Sequence, residues 1–189
     1  LIAPRMSEAL GQPVIVENKP GASGTVAAAQ VARAAPDGLT LLLDASSFAV
    51  NPSLFDKLPY DTATAFAPLA VLAMFPNALV CTPSFEAKTV ADVLRLARAK
   101  PGTLAYASSG NGSAQHLAGA MFEAIAKVDL LHVPYRGGGP ALNDVMGGQV
   151  PLFFANVASS LGHIQSGRLR ALAVTSKTRS RVLPELPSM

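Results

Sequence analysis

The sequence predicts an α/β fold in which parallel strands alternate with helices. Apolar runs of strand length alternate along the chain with segments of helical period. One of these runs, residues 39–43 (LTLLL), is almost continuously apolar, which is typical of a parallel strand covered on both faces. Short Gly/Ser loops join several predicted strands to the helices that follow them. Together these features indicate a parallel sheet built with right-handed crossovers.

Composition restricts the class of protein. The chain has 189 residues, of which 50% are hydrophobic and 14% are charged, so there is ample material for a packed core. The bases behind the net charge of +3 are scattered, without the basic stripe and interleaved aromatics typical of nucleic-acid binding. No apolar run approaches the roughly 20 residues that span a bilayer. Cys81 is alone, so it forms no internal disulfide, and we expect it to be a buried strand residue.

The first part of the chain contains both helix and strand signals. Residues 1–10 have an amphipathic helical pattern that begins without an N-cap and ends at Gly11. Because this helix has neither a Met nor a strand before it, and residues 183–189 are rich in turns, we expect a longer natural chain. The other predicted elements are strand 14–16, helix 24–34, a turn at 36–38, strand 39–43, an irregular segment 51–66, and strands 69–72 and 78–81.

The second half of the chain gives clearer signals. Thr89 and Asp92 form a capping-box pattern at the start of a helix. Pro140 suits the first position of a short helix that ends at Gly147. Helix 113–127 is predicted to bury a stripe made of Leu117, Met121, Ala124 and Val128. The remaining predictions are strands 104–106, 130–133, 150–154 and 169–174, and helix 159–166.

The order of these elements predicts two lobes. The irregular segment 51–66 and the doubled strand signal between residues 67 and 82 mark a crossing from one sheet to another. A return is predicted near residues 173–176, where the last strand leads into a Pro-rich end. The predicted units are an incomplete lobe I at 1–76, lobe II at 77–172 and a return crossing at 173–189.

Two Gly/Ser loops are the strongest functional signal. They lie within residues 106–116 (YASSGNGSAQH) and 132–140 (HVPYRGGGP), and each joins a strand end to the start of a helix. Such a junction directs unpaired backbone N–H groups and the positive end of a helix dipole into one place, which suits an anion. After Tyr135, Arg136 adds a guanidinium that either binds a carboxylate through two hydrogen bonds or faces solvent. Because neither loop brings an obvious nucleophile, metal cluster or acid/base pair, the pattern favours binding over catalysis.

The side chains of the first loop have alternative interpretations. Ser109, Gly110, Gly112 and Ser113 either contact a ligand or form only a tight turn and an N-cap. His116 either points into the pocket or lies on the surface. Its position near the positive end of a helix favours a neutral imidazole in both cases.

Strand-end positions add further candidates. Ser46 and Ser47 follow one predicted strand and Asn156 follows another, and ligands of open α/β sheets collect at the carboxyl ends of strands. His132 and His163 are isolated from each other and from any cysteine, so no metal site is predicted, and no cofactor is expected.

Five segments closely resemble the motifs of a single protein family. They are residues 17–24 (ENKPGASG), 106–113 (YASSGNGS), 133–138 (VPYRGG), 147–150 (GGQV) and 167–176 (GRLRALAVTS). The family is that of the substrate-binding proteins of tripartite tricarboxylate transporters, the Bug or TctC-like extracytoplasmic solute receptors. The resemblance runs nearly end to end.

This resemblance implies a two-lobed periplasmic-binding-protein fold (type II, Venus-flytrap), here lacking its N-terminal strand and C-terminal segment. It implies a periplasmic monomer that closes on a carboxylate and delivers it to a membrane permease. It also implies that Ser23 and Gly24 belong to the ligand-side loop of the first lobe. The complete set of candidate ligand-binding residues is Ser23, Gly24, Ser46, Ser47, Ser109, Gly110, Gly112, Ser113, His116, Tyr135, Arg136, Gly137, Gly138 and Asn156.

Two departures from the family pattern bear on the ligand. Many relatives have an Asp where this chain has Ala155, and they often have an Asp where it has Pro151. Burying an ammonium group without a partner costs several kcal/mol. We therefore expect a di- or tricarboxylate or an aromatic acid to bind better than aspartate or glutamate.

Other classes of function stay open at this point. One is an α/β enzyme that uses a nucleotide or acts on an acidic metabolite. Gly110-Asn-Gly112 is only a fragment of a dinucleotide-binding fingerprint, because the third glycine and the acidic residue at the end of the next strand are missing. Another is a ligand-sensing module of a signalling protein, which would share the same pocket. The solute receptor is the leading interpretation.

Overall fold

Five strands form a mixed sheet in the computed structural model, which describes residues 2–189. Strand β2 pairs in parallel with β3 and β4, whereas β1 is antiparallel to β4 and β5. The order across the sheet is β3-β2-β4-β1-β5. The strands are β1 Asn77–Cys81, β2 Ala105–Ser108, β3 Leu131–Pro134, β4 Leu152–Asn156 and β5 Arg170–Val174.

Helices connect the strands and cover the sheet, as the predicted α/β class requires. A short 3-10 helix lies at Ala22–Gly24. No helix among residues 2–189 is long and apolar enough to cross a bilayer. The α-helices in this range are α1 Ile2–Leu10, α2 Thr25–Ala32, α3 Ser47–Leu54, α4 Val90–Ala99, α5 Ala114–Ala126, α6 Gly138–Met146 and α7 Val157–Gln165.

The core occupies both faces of the sheet. Successive strand residues point to opposite faces, so Phe153 packs in the cluster that includes α6 and α7, while Phe154 packs in the cluster that includes α4 and α5. Each fully buried aromatic or aliphatic side chain of this kind stabilises the fold by about 1.5–3 kcal/mol. Cys81 is buried in β1, as predicted.

Helix starts agree with the sequence at two positions and differ at a third. Thr89 accepts a hydrogen bond from the Asp92 amide at 3.1 Å, and Asp92 accepts one in return from the Thr89 amide, so the predicted capping box is confirmed. Ser113 is the N-cap of α5. Helix α6 begins at Gly138, so the prediction that Pro140 is its first residue is wrong. Pro140 still lies in the first turn, where a missing N–H leaves no helical bond unmade.

The buried face of α5 is rotated from the predicted one. Met121 is 62% exposed and Ala124 is also exposed, whereas Gly119 is buried and Ala118 and Phe122 pack on the core. Gly119 lies directly against the ring of a buried tyrosine, which brings that side of the helix to the sheet. The apolar periodicity predicted the helix and the packing of Val128 correctly, but Met121 and Ala124 of the predicted stripe are exposed.

Three predicted strands, at 14–16, 39–43 and 69–72, do not form. Their apolar side chains are largely exposed, for example Leu39 at 75% and Val71 at 82%. An apolar run records a tendency to be buried, but a strand also needs a neighbour for its backbone hydrogen bonds. None of the strands in residues 2–189 pairs with these runs.

The start of β1 and the end of β5 lie side by side. The Thr175 amide donates to the Asn77 carbonyl at 2.8 Å, and the Asn77 amide donates to the Thr175 hydroxyl at 3.0 Å. Both positions lie in the segments where the sequence predicts the crossing and the return, and these stay predictions. The division at residues 76 and 172 stays a prediction.

Candidate anion-binding site

The loop between β2 and α5 is folded by its own serines. The Ser113 hydroxyl donates to the Gly110 carbonyl at 2.7 Å and accepts the His116 amide at 3.3 Å. The Ser109 hydroxyl donates to the Gln115 side-chain oxygen at 2.8 Å. Since each hydroxyl proton is used inside the loop, these serines shape the site and leave the binding of an anion chiefly to the backbone.

The start of α5 presents unpaired donors. Ser113 caps the His116 amide, which leaves the Ala114 and Gln115 amides without a partner among residues 2–189. Gly110 and Gly112 have φ of +134° and +74°, which L side chains rarely adopt, so the glycines allow the chain to turn into the helix. Uncapped amides at the positive end of a helix attract negative charge.

The loop between β3 and α6 lies directly beside the first one. The Tyr135 amide donates to the Ser108 carbonyl at 3.0 Å, and the Gly137 amide donates to the Ser109 carbonyl at 3.1 Å. Helix α6 has Gly137 as its N-cap, without a side-chain cap. A second helix start, this one without a side-chain cap, therefore lies close to the first, as the two motifs predicted.

A third segment, from the first part of the chain, contacts the β2–α5 loop. The Ser23 hydroxyl donates to the Asn111 carbonyl, and the Asn51 side-chain amide donates to the Ser23 carbonyl at 3.0 Å. Ser23 has φ of +53°, an uncommon conformation for a residue other than glycine. The structure thus brings Ser23 and its neighbour Gly24 to the loops that the sequence singled out.

Two histidines and a tyrosine form a stack behind the first loop. The rings of His116 and His132 are 4.1 Å apart, and Tyr106 stacks on His132 at 5.0 Å. His116 accepts the Gly112 amide through Nδ1 at 3.0 Å, so its ring faces its own loop. His132 Nε2 lies 2.7 Å from the Ser108 hydroxyl. Burial, together with the neighbouring His116, lowers the pKa of His132 to about 4.

Other candidates lie at the margin of the site. Arg136 is exposed. The Tyr135 hydroxyl donates to Asp144 of α6 at 2.7 Å, and burial together with this partner raises its pKa to about 12. Asn156 caps α7 through a bond from the Ala158 amide at 2.9 Å. Its neighbour across the strands, Asn77, donates to the carbonyl of the first α5 residue at 3.3 Å.

The sequence did not single out Asn51 or Asp44 as candidates. Asn51 is fully buried in α3, inside a segment predicted to be irregular. Asp44 follows a predicted strand and contacts Gly24, and its carboxylate also accepts a weak bond from Ser47 at 3.4 Å. Ser46 is exposed at the start of the same helix. The signal that could have identified Asp44 was its position directly after the predicted strand 39–43, although that strand does not form.

The fold and the site together define an α/β protein in which two helix starts and their backbone loops lie side by side. The sequence profile of the tripartite tricarboxylate transporter family receptor, TctC, matches residues 1–189. The chain belongs to this family. A relative from Pseudomonas sp. strain P51, the UPF0065 protein in the tcbD-tcbE intergenic region, is 38% identical over 189 residues, which are all of this chain and 56% of that protein.

Solved structures agree with the fold. The periplasmic binding protein BugD superimposes with a TM-score of 0.93 at 37% identity, and R. palustris Rpa4515 with adipate gives 0.95 at 37% identity. MatC from Rhodopseudomonas palustris with bound malate gives 0.88 at 31%. This chain is covered to 100%, 100% and 99%, but it spans only 63%, 63% and 64% of those chains. The predicted periplasmic-binding-protein fold is confirmed.

The half-buried His132 predicts a loss of stability in acid. Its folded pKa of about 4 lies below its ordinary 6.5, so between these values the unfolded chain binds more protons. The contribution of the neutral His132 ring to the free energy of unfolding is complete above pH 6.5 and is lost as the pH falls towards 4. We expect the free energy of unfolding to fall by about 1 kcal/mol. This is less than the full pKa difference would give, because the ring is partly exposed to solvent. Urea unfolding between pH 7.5 and 4.5 would measure it.

The matched variant for this measurement is His132→Gln, which keeps a polar side chain but does not titrate. The difference in unfolding free energy between the two proteins should narrow steadily as the pH falls. Parallel pH curves would show that His132 has no such role.

Proposed function

We propose that this chain is part of a periplasmic receptor, acting as a monomer, that captures a small carboxylate for a permease of the tripartite tricarboxylate type. The ligand is a di- or tricarboxylate or an aromatic acid. Such a receptor binds and releases its ligand unchanged.

The observation that carries the proposal is the meeting of two helix starts whose first amides have no partner among residues 2–189. Helices α5 and α6 begin beside each other, because the Tyr135 amide bonds to the end of β2 and the Gly137 amide bonds to the β2–α5 loop. Each hydrogen bond from such an amide to a carboxylate contributes roughly 1.5–3 kcal/mol. Three or four of them account for micromolar affinity, which corresponds to about 8 kcal/mol.

The relatives support the ligand class. Adipate and malate, the acids named for two similar structures, are both dicarboxylates. The enzyme alternative has less support, since the loops present backbone amides and internally bonded serines to a ligand. Membership of the TctC family supports the permease as partner.

Isothermal titration calorimetry with adipate, malate, citrate and benzoate tests the proposal. At least one acid should bind at a single saturable site, and adipamide, which has the shape of adipate without its charge, should not bind. Cell fractionation by osmotic shock should release the natural protein with the periplasmic contents. Failure of every acid to bind, or equal binding of adipamide, would contradict the proposal.

A further inference from the structure

The carboxylate of Asp44 lies against the first ligand-side loop. A Cβ atom built on Gly24 would be 2.8 Å from Asp44 Oδ2 and 2.9 Å from Oδ1, so the carboxylate occupies the space that a side chain at position 24 would need. Gly24 directly follows Ser23, whose hydroxyl bonds to the Asn111 carbonyl of the β2–α5 loop. An acidic group is therefore one residue away from the contact that joins the first segment to the predicted anion site.

The two oxygens of this carboxylate differ. Oδ1 accepts the Ala45 amide at 2.7 Å and the Ser47 hydroxyl at 3.4 Å. Oδ2 is buried and has no hydrogen-bond donor among residues 2–189. A buried carboxylate oxygen without a donor is costly, so its partner has to come from elsewhere.

One nearby hydroxyl, that of Tyr60, faces two acceptors that have no donor among residues 2–189. Asn51 is fully buried, and its Oδ1 is a second acceptor without a donor in the described chain. Burial and the charge of Asp44 raise the pKa of the Tyr60 hydroxyl and outweigh the Asn51 side chain, which lowers it. The hydroxyl therefore keeps its proton and can act as a donor. It is not within hydrogen-bonding geometry of any described group. Even if it rotated, one O–H could satisfy only one of the two acceptors.

We propose that Asp44 determines the specificity of the site, by accepting a hydrogen bond through Oδ2 from a hydroxyl or ammonium group next to a carboxylate of the ligand. This inference rests on the proposed function and narrows its ligand class. The carboxylate of a plain dicarboxylate near Asp44 would be repelled by the Asp44 carboxylate. A hydroxyl or ammonium group on the ligand would lie between these two carboxylates and would donate to Asp44. Ala155 leaves an ammonium group without a partner at its own position, but Asp44 could be such a partner. Hydroxy acids and amino acids are therefore tested separately.

Matched acids that differ in one group provide the experiment. Calorimetry with succinate, glutarate and adipate first selects the chain length that binds best. The acid of that length is then compared with its 2-hydroxy and 2-amino derivatives, which for succinate are malate and aspartate. One derivative should bind at least about tenfold more tightly than the plain acid, as expected for a hydrogen bond to a charged group. The arm that gains affinity identifies the donor.

Asp44→Asn removes the charge with little change of shape and should reduce the preference to less than about twofold. Asp44→Ala removes both oxygens and should give the same loss of preference if the first variant folds poorly. Asp56→Asn, at an exposed carboxylate, is the control and should keep the wild-type preference. Thermal unfolding without ligand checks that each variant is folded.

The outcomes separate this inference from the function on which it rests. Binding of all three acids with equal affinity would overturn the role of Asp44 and leave the receptor function standing. A preference that persists in both Asp44 variants would also overturn it. Binding of no carboxylate by the wild-type protein would overturn both.

Discussion

Replacing Gly138 by Asp should reduce carboxylate binding about 100-fold, because it introduces a negative charge at the α6 helix start where the ligand carboxylate is expected. Two unit charges about 4–6 Å apart repel by roughly 3–4 kcal/mol in a partly exposed site. A Cβ at position 138 meets no atom within 4 Å, and Gly138 is not among the residues of positive φ, so the backbone accepts the change. Calorimetric titration with the acid that binds wild-type protein best measures the loss.

Gly138→Asn is the matched control, since it has the same shape without the charge. We expect it to lose less than about tenfold. An aspartate in the first turn stabilises a helix by about 0.3–1 kcal/mol, so Gly138→Asp should unfold at the same temperature as wild type or higher. Loss of binding with unchanged or increased stability separates repulsion from misfolding. Equal affinities of the two variants would show that no carboxylate binds near α6.

Gly119→Ala should destabilise the fold by about 3 kcal/mol or more, because the new methyl group overlaps a buried ring. A Cβ at this position lies 2.1 Å from Cε2 of Tyr106 and 2.4 Å from its Cζ. The ring has little room to move, since it stacks on His132 and packs edge-on against Phe154 at 5.8 Å. The clash exceeds the gain of about 1 kcal/mol in helix propensity. Urea unfolding measures the difference.

Gly162→Ala in α7 is a control for which we expect the opposite change in the free energy of unfolding. Gly162 is exposed, and a Cβ there meets no atom within 4 Å. The substitution should stabilise the fold by about 0.5–1 kcal/mol through helix propensity alone. If Gly119→Ala stabilised the fold as Gly162→Ala does, Gly119 would not pack against Tyr106 as described.

The sequence predicted those parts of the fold that depend on local pattern. The capping box at Thr89 and the apolar runs of β1 to β5 involve residues close in sequence, and they appear near their predicted positions. Residues 39–43 have an equally strong strand pattern but no pairing neighbour, and pairing is a property of the whole sheet. The sequence did not predict the buried face of α5. Gly119 packs against Tyr106 there, and a glycine has no apolar side chain that contributes to the helical period.

The candidate site was predictable where backbone loops form it. The Gly/Ser motifs around Gly110 and Gly137 identified two helix starts, which the structure brings together through bonds to Ser108 and Ser109. The contact of Asp44 with Gly24 could not be predicted, because it depends on how two segments of the chain pack. Long-range packing of polar groups has no sequence period.

Amide NMR shows whether backbone amides of the two Gly/Ser loops bind the carboxylate. The protein labelled with ¹⁵N is titrated with the tightest-binding dicarboxylate while the ¹H–¹⁵N resonances are followed. We expect the largest shifts at the starts of α5 and α6, at the amides of Ala114, Gln115, Gly138 and Gly139. Saturable shifts confined to another region, such as the surface cavity lined by Pro52, Phe55 and Tyr60, would contradict it.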